Sequence, residues 1–338
     1  MLRPLVSIVT PVYKDAEFLA ECIESVLAQT YTNWNYVIVD NCSTDGSLAI
    51  AQKFAVKDAR IRIVSNEQCL PIIANHNHAI RQISSESKYC KVVFADDWLL
   101  PTCIEELVGA AERHLSIGVV GAYSMDGQAV LWAGPPHPCY RAPGYEVCRR
   151  TLLAGTYVFG TMTSLLVRSD LIRKRARFFN ERNLHADLEA CFDLLQESDF
   201  AFVHQVLSCC RARPQSNTSS AIDFESIILG NFVTLVKYGP IFLNGDEYSK
   251  RYRQLRWDYY RVLARNVFRI RPSMFWRYHR DTLAAFDEPL DWRLVAAALI
   301  PEIGCYLTHP IQSIGRVSRW WSRAFNRSKE NGFARSQG

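Results

Sequence analysis

Lys91-Val92-Val93-Phe94-Ala95-Asp96-Asp97-Trp98 is the stretch that decides the fold. Its β-branched and aromatic opening reads as a short buried strand, and two adjacent carboxylates stand where that strand ends. Leu99-Leu100-Pro101-Thr102 then turns the chain into a new helix. In an open α/β sheet, ligands collect in the crevice beyond the carboxyl ends of the strands. Two carboxylates placed there suit a hard divalent cation, with a phosphate-bearing ligand completing its coordination. An isolated Asp-Asp pair would equally serve to cap a helix, so the flanking pattern has to choose.

That pattern alternates. Strand-like runs at 6–11, 36–40, 61–65, 91–95 and 119–122 are separated by helix-like segments at 16–29, 46–54, 73–83 and 102–114. The alternation predicts an α/β fold, a mixed, mostly parallel sheet flanked by helices. Asp15 suits the start of the first helix, and Ser43-Thr44-Asp45-Gly46 supplies turn and cap chemistry for the second. Residues 125–145 are rich in Gly, Pro and aromatics, which suits a long loop carrying little regular structure. A strand-like 164–167, a helix-like 186–196 and a strand-like 200–207 follow. Beyond 223 the pattern turns helical, with Arg-, Tyr- and Trp-rich stretches at 248–269 and 275–286. The expected division is therefore a catalytic domain at 1–222, with a nucleotide-binding part at 1–124 and an acceptor-side part at 125–222. A helical, basic, aromatic-rich region at 223–325 and a disordered tail at 326–338 complete it.

The chain has 338 residues, half of them apolar, enough to bury a full core. No leader peptide and no uninterrupted membrane-spanning run is legible. Eleven cysteines occur without a CxxC pair, an odd number that suits neither a zinc ribbon nor a disulfide framework. A reducing cytoplasm is the expected setting. The overall charge of +5 is uneven: residues 241–338 hold 17 Lys and Arg against 9 Asp and Glu, so the rest of the chain is slightly acidic. A basic tail on an acidic body points to an anionic membrane surface or a polyanionic substrate; a solvated helical face explains any single stretch of it as well.

Three acidic stations sit at strand exits or a helix start: Asp40, the pair Asp96 and Asp97, and Asp187 with Glu189 in His185-Ala186-Asp187-Leu188-Glu189. Four blocks then appear in one order. They are Val6-Ser7-Ile8-Val9-Thr10-Pro11-Val12-Tyr13, Glu24-Ser25-Val26-Leu27-Ala28-Gln29-Thr30-Tyr31, Val39-Asp40-Asn41-Cys42-Ser43-Thr44-Asp45-Gly46 and Phe94-Ala95-Asp96-Asp97. Together they resemble the family 2 glycosyltransferases of the GT-A (Rossmann-like) fold, closely over the first third of the chain and more weakly to about residue 220.

The resemblance implies that Pro11 and Tyr13 line a base pocket and that Asp40 hydrogen-bonds the base, usually uracil. It implies that Asp96 binds the ribose, that Asp97 holds the Mg²⁺ or Mn²⁺ bridging the diphosphate, and that Asp187 is the general base. An N-cap role for Asp187, with Glu189 or Asp193 as the base, is the competing reading. The chain also departs from the family pattern. His76 and Asn77 stand where many members carry Arg-Asn, and they are assigned a phosphate or sugar contact. Arg213 takes the place of a His that often binds the metal; an Arg there can hold only a phosphate. Arg319-Trp320-Trp321 lacks the companion Gln of processive synthases.

The expected activity is inverting, non-processive transfer of a sugar from a UDP-sugar to a glycan or lipid-linked glycan, at the inner face of the cytoplasmic membrane and without nucleic acid. A sugar nucleotidyltransferase would carry a Gly-rich loop after the first strand, and Thr10-Pro11-Val12-Tyr13-Lys14-Asp15 has no glycine. A degenerate, non-catalytic nucleotide-sugar-binding protein is the other alternative, drawing on the missing Arg and His.

Overall fold

The computed structural model describes residues 3–308 apart from 128, 132–133, 156–157, 184, 212–224 and 270, and gives the backbone alone at 304–308. The chain divides into two compact units, Met1–Arg251 and Tyr252–Gly338.

The first unit is built on β1 (Val6–Val12), in which every residue is buried. Ser7 and Thr10 survive there because they are satisfied locally: Thr10 shares a 2.8 Å hydrogen bond with the Tyr36 hydroxyl, and Ser7 Oγ accepts from the Ser84 amide at 3.0 Å. β2 (Trp34–Asp40) and β4 (Tyr89–Val92) run parallel to β1 on either side, and β3 (Ile61–Ser65) runs parallel to β2. The sheet continues from β4 through β9 (Leu165–Arg168), β6 (Ile117–Asp126) and β10 (Asp199–Cys209) to β5 (Trp98–Leu99), in the order β3-β2-β1-β4-β9-β6-β10-β5. β9 lies antiparallel between β4 and β6, while β10 returns parallel to β6. β5 is antiparallel to the end of β10.

Helices cover the sheet by burying one stripe each. α1 (Leu19–Leu27) buries Leu19, Cys22, Ile23 and Val26, the spacing of a single helical face. α2 (Ser47–Ala55), α3 (Ile72–Ile80) and α4 (Cys103–Ala111) follow β2, β3 and β5. α1 begins three residues later than the sequence suggests, because the Asp15 carboxylate accepts from the Tyr13 amide and its carbonyl takes the Phe18 and Leu19 amides.

Residues 125–145 hold more regular structure than their composition suggests. β7 (Ala129–Leu131) folds back on β6, β8 (Arg141–Ala142) pairs with β10, and α5 (Gly144–Ala154) begins at Gly144. α6 (Ser169–Arg173) and α7 (Ala186–Leu195) follow. α8 (Ser226–Phe242) packs on α5, and its Phe242 and Tyr238 rings meet Phe192 of α7 at 5.8 and 4.9 Å. These contacts carry the first unit on to Arg251, past residue 222.

α9 (Gly245–Phe268), α10 (Ser273–Ala284) and α11 (Trp292–Thr308) follow. In the second unit Leu255, Tyr259, Leu263, Phe275, Leu283, Val295 and Ala298 form the apolar interior. His279 is fully buried there, against Phe275 and within 2.8 Å of the Tyr259 hydroxyl. Among the described residues, no helix is long and apolar enough to cross a membrane, and every cysteine is free. Arg319-Trp320-Trp321 and the tail at 326–338 lie outside the described residues.

Candidate active site

Parallel pairing brings the carboxyl ends of β1, β2 and β3 to one edge, with Val12 opposite Asp40 and Asp40 opposite Ser65. Two loops at that edge are knitted together. Ser43 Oγ accepts from the Lys14 amide, Ser47 Oγ from the Asp15 amide, and Asp45 from both the Ala16 amide and the Ser47 hydroxyl. Those bonds hold the Asp45 carboxyl below the usual range against its partial desolvation. The tight path needs left-handed backbone at Lys14, Cys42 and Gly46, where φ is +56°, +59° and +95°.

Pro11 is buried in β1, and Tyr13, just past it, is 44% exposed. Asp40 is only 3% exposed. Its Oδ2 accepts from the Ser43 amide at 3.2 Å, while its Oδ1 is buried without a hydrogen-bond partner. An unsatisfied buried carboxylate oxygen is costly, on the order of 1–3 kcal/mol or more. Beside it Asn41, Asn66, Leu70 and Asn75 are linked by hydrogen bonds of 2.8–2.9 Å, with Asn66 Oδ1 buried and without a partner.

The second station lies beyond β4, whose ladder ends at Val92. Ala95 and Asp96 turn the chain, and the Asp97 amide closes back on the Phe94 carbonyl at 3.0 Å. Asp96 is half-buried, whereas Asp97 is 5% exposed. The Asp97 carboxylate is gripped from two distant elements: Oδ2 accepts from the Thr163 hydroxyl at 2.6 Å and Oδ1 from the Arg211 amide at 3.1 Å. Burial, followed by the neighbouring Asp96 charge, pushes the Asp97 carboxyl up to about 7. A bound cation would reverse that cost. The Cys210 thiol is a further hydrogen-bond partner of the carboxylate, so a cation held here would take most of its ligands from phosphate and water. Among the described residues, no group of three or more His, Cys, Asp or Glu converges as a metal cage.

His76 and Asn77 lie on α3 but do different things. The His76 ring lies 5.1 Å from the ring of Phe94 and 6.1 Å from that of Phe179, and burial pulls it down to about 4, which keeps it neutral at pH 7. Asn77 is buried with its amide engaged: it donates to the Phe179 carbonyl and accepts from the Phe179 amide, both at 2.8 Å, and donates to Glu181 Oε1 at 3.1 Å. His78 projects elsewhere, toward Gln82. Arg213 lies outside the described residues.

Asp187 is half-buried in the first turn of α7, and its Oδ1 accepts from the Leu188 amide at 2.8 Å. Glu189 is 6% exposed and fully engaged: Asn180 and Asn183 donate to it, and Lys237 of α8 forms an ion pair with it. Asp193 accepts from the Tyr238 hydroxyl at 2.6 Å. Both alternatives to Asp187 are therefore tied to α8.

Two residues at the site are absent from the sequence reading. Thr163 sits in a 3₁₀ turn, Met162–Ser164, just ahead of β9. Arg211 leaves β10 with its guanidinium over the Phe18 and Trp98 rings, at 4.5 and 4.9 Å, and paired with Glu21. The cluster Thr161-Met162-Thr163-Ser164 is a weak hint of the first; nothing in the sequence singles out the second.

A sheet whose strand exits carry Asp40 and the Asp96–Asp97 pair, flanked by helices and extended by a helical C-terminal region, is that of a GT-A glycosyltransferase. The chain belongs to glycosyl transferase family 2, whose profile matches residues 7–175. It is similar to EpsE of Bacillus subtilis (strain 168), at 29% identity over 210 residues, 58% of this chain and 74% of that one. In structure it resembles S. aureus TarS 1-349, solved in complex with UDP-GlcNAc, with a TM-score of 0.61 at 16% identity over 87% of this chain and 83% of that one. It also resembles the mannosyltransferase PcManGT of Pyrobaculum calidifontis, solved with GDP-Man and Mn²⁺, with a TM-score of 0.54 at 16% identity over 95% of this chain and 85% of that one. The chain is thus a transferase of this family.

Proposed function

We propose that this protein transfers a sugar, with inversion, from a UDP-sugar to a hydroxyl of a glycan or lipid-linked glycan, one residue at a time. The observation that carries the donor reading is the orphaned Oδ1 of Asp40, at the edge where Pro11 and Tyr13 stand. With Oδ2 already taken by the Ser43 amide, one oxygen remains, which suits the single imide N–H of uracil better than the paired donors of guanine. A base reaches that oxygen when the loops at this edge part locally. Asp96 is assigned to the ribose, and His76 and Arg213 to a phosphate or sugar contact. Asn77 joins them only by releasing Phe179.

Asp97, with Asp96 beside it, would hold a Mn²⁺ or Mg²⁺ ion, which supplies counter-charge for the leaving diphosphate. Asp187 takes the proton of the acceptor hydroxyl as that oxygen attacks the anomeric carbon from the face opposite the diphosphate. A thermal-shift screen across UDP-, GDP- and dTDP-sugars tests the donor: the largest shift is expected with UDP-sugars, and Asp40→Ala should weaken UDP about 10- to 100-fold. An equal response to GDP-sugars would overturn the uracil assignment.

For localisation, we propose that the second unit rests on an anionic membrane surface. α11 exposes Trp292, Ala296, Ile300 and Ile303 on one face beside Arg293, with no acidic residue among them, while Val295, Ala298 and Glu302 face inward. Aromatic and aliphatic side chains flanked by cations favour the headgroup boundary. Full-length protein should sediment with phosphatidylglycerol vesicles and not with phosphatidylcholine vesicles. The double change Trp292→Glu with Ile300→Glu should lower that binding by about tenfold; unchanged partitioning would exclude this face.

A further inference from the structure

Lys91 is fully buried in β4, and an ammonium group in that position needs an explanation. Its Nζ donates to the carbonyls of Thr163 and Leu165, and among the described residues no carboxylate pairs with it. Burial pulls its ionisation downward, as desolvation must, and the Asp97 charge is among the groups that resist the fall. A methionine or leucine would fill the same space without that cost. What the lysine does accomplish is to tie the middle of the Met162–Ser164 turn, and the first residue after it, to the strand that leads into Asp97.

Of the two hydroxyls in that turn, Ser164 donates to nearby carbonyls and Thr163 meets Asp97. Thr163 Oγ1 accepts from the Phe94 amide at 3.2 Å, so its own proton is committed to Asp97 Oδ2 at 2.6 Å. The Arg211 amide fixes the other oxygen. Both oxygens are thereby held from the protein side, which fixes the rotation of the carboxylate. We propose that Thr163, anchored by Lys91, is a positioning residue that holds the Asp97 carboxylate in its cation-binding orientation. This rests on the assignment of Asp97 as the cation ligand.

Outer-shell partners of a ligating carboxylate typically contribute about 10- to 100-fold in metal affinity. Mn²⁺ binding, followed by electron paramagnetic resonance with and without UDP, tests this apart from turnover. Thr163→Val should weaken Mn²⁺ about tenfold or more, Thr163→Ser should restore it to within about threefold, and Lys91→Met should weaken it similarly. Circular dichroism and thermal melting check that each variant is folded, and Thr163→Val alone decides should Lys91→Met fail to fold. If Thr163→Val binds Mn²⁺ within about twofold of the native chain while Asp97→Asn abolishes binding, the positioning role is overturned and the Asp97 assignment stands. If Asp97→Asn itself leaves Mn²⁺ binding intact, the cation assignment fails, and the role of Thr163 with it.

Discussion

Asp97→Asn should lower sugar transfer by roughly 10³-fold or more and, without divalent cations, raise the stability of the protein at pH 8. Both effects have one cause. The carboxyl is held neutral up to about pH 7 in the folded chain, against an ordinary value of 3.8. Between those values the folded state binds the extra proton, so stability falls as pH rises through that window. The shift corresponds to a few kcal/mol, on the order of 3–4 at its upper bound. Cation-free melting temperatures of the native protein should therefore drop by about 5 °C or more from pH 5 to pH 8, and the asparagine variant should lose most of that slope. Mn²⁺ with UDP should restore the native protein at pH 8 and leave the variant unmoved. Equal pH slopes in the two proteins would rule out Asp97 as the strained group.

Asp187→Asn is the second large effect. If Asp187 accepts the acceptor proton, kcat should fall about 10³-fold while the donor KM changes less than about threefold. The comparison with Glu189 makes this specific. Glu189 is bound by Asn180 and Asn183 from the segment before α7 and by Lys237 of α8, so its charge joins three parts of the fold. Glu189→Gln should therefore lower the melting temperature and retain far more turnover than Asp187→Asn. A reversed ranking, with Glu189→Gln the dead enzyme, would move the base two residues along the helix.

Much of this architecture is legible without coordinates, and the reasons differ by residue. Asp40, Asp96 and Asp97 are readable because each interrupts an apolar run, and the structure puts them at the exits of β2 and β4. β7 and β8 are not readable, since three- and two-residue strands owe their existence to pairing with β6 and β10 rather than to their own composition. Thr163 is invisible for a related reason: its partner is 66 residues away. The sequence puts Asp187 ahead of Glu189 as the base; what it cannot show is that Asn180, Asn183 and Lys237 engage Glu189. The boundary at Arg251 follows from aromatic packing of α8 on α7, which periodicity within α8 cannot reveal.

The antiparallel insertion of β9 limits how such an enzyme can be recombined. β9 comes late in the chain, yet it sits in the sheet against β4, and the turn before it carries the hydroxyl that grips Asp97. A chimera joining the first 124 residues of this protein to the remainder of a relative would import a foreign Thr163 and a foreign partner for Lys91. Grafts that begin after Arg168 keep Lys91 and Thr163 with Asp97 and exchange only the later contact from Arg211.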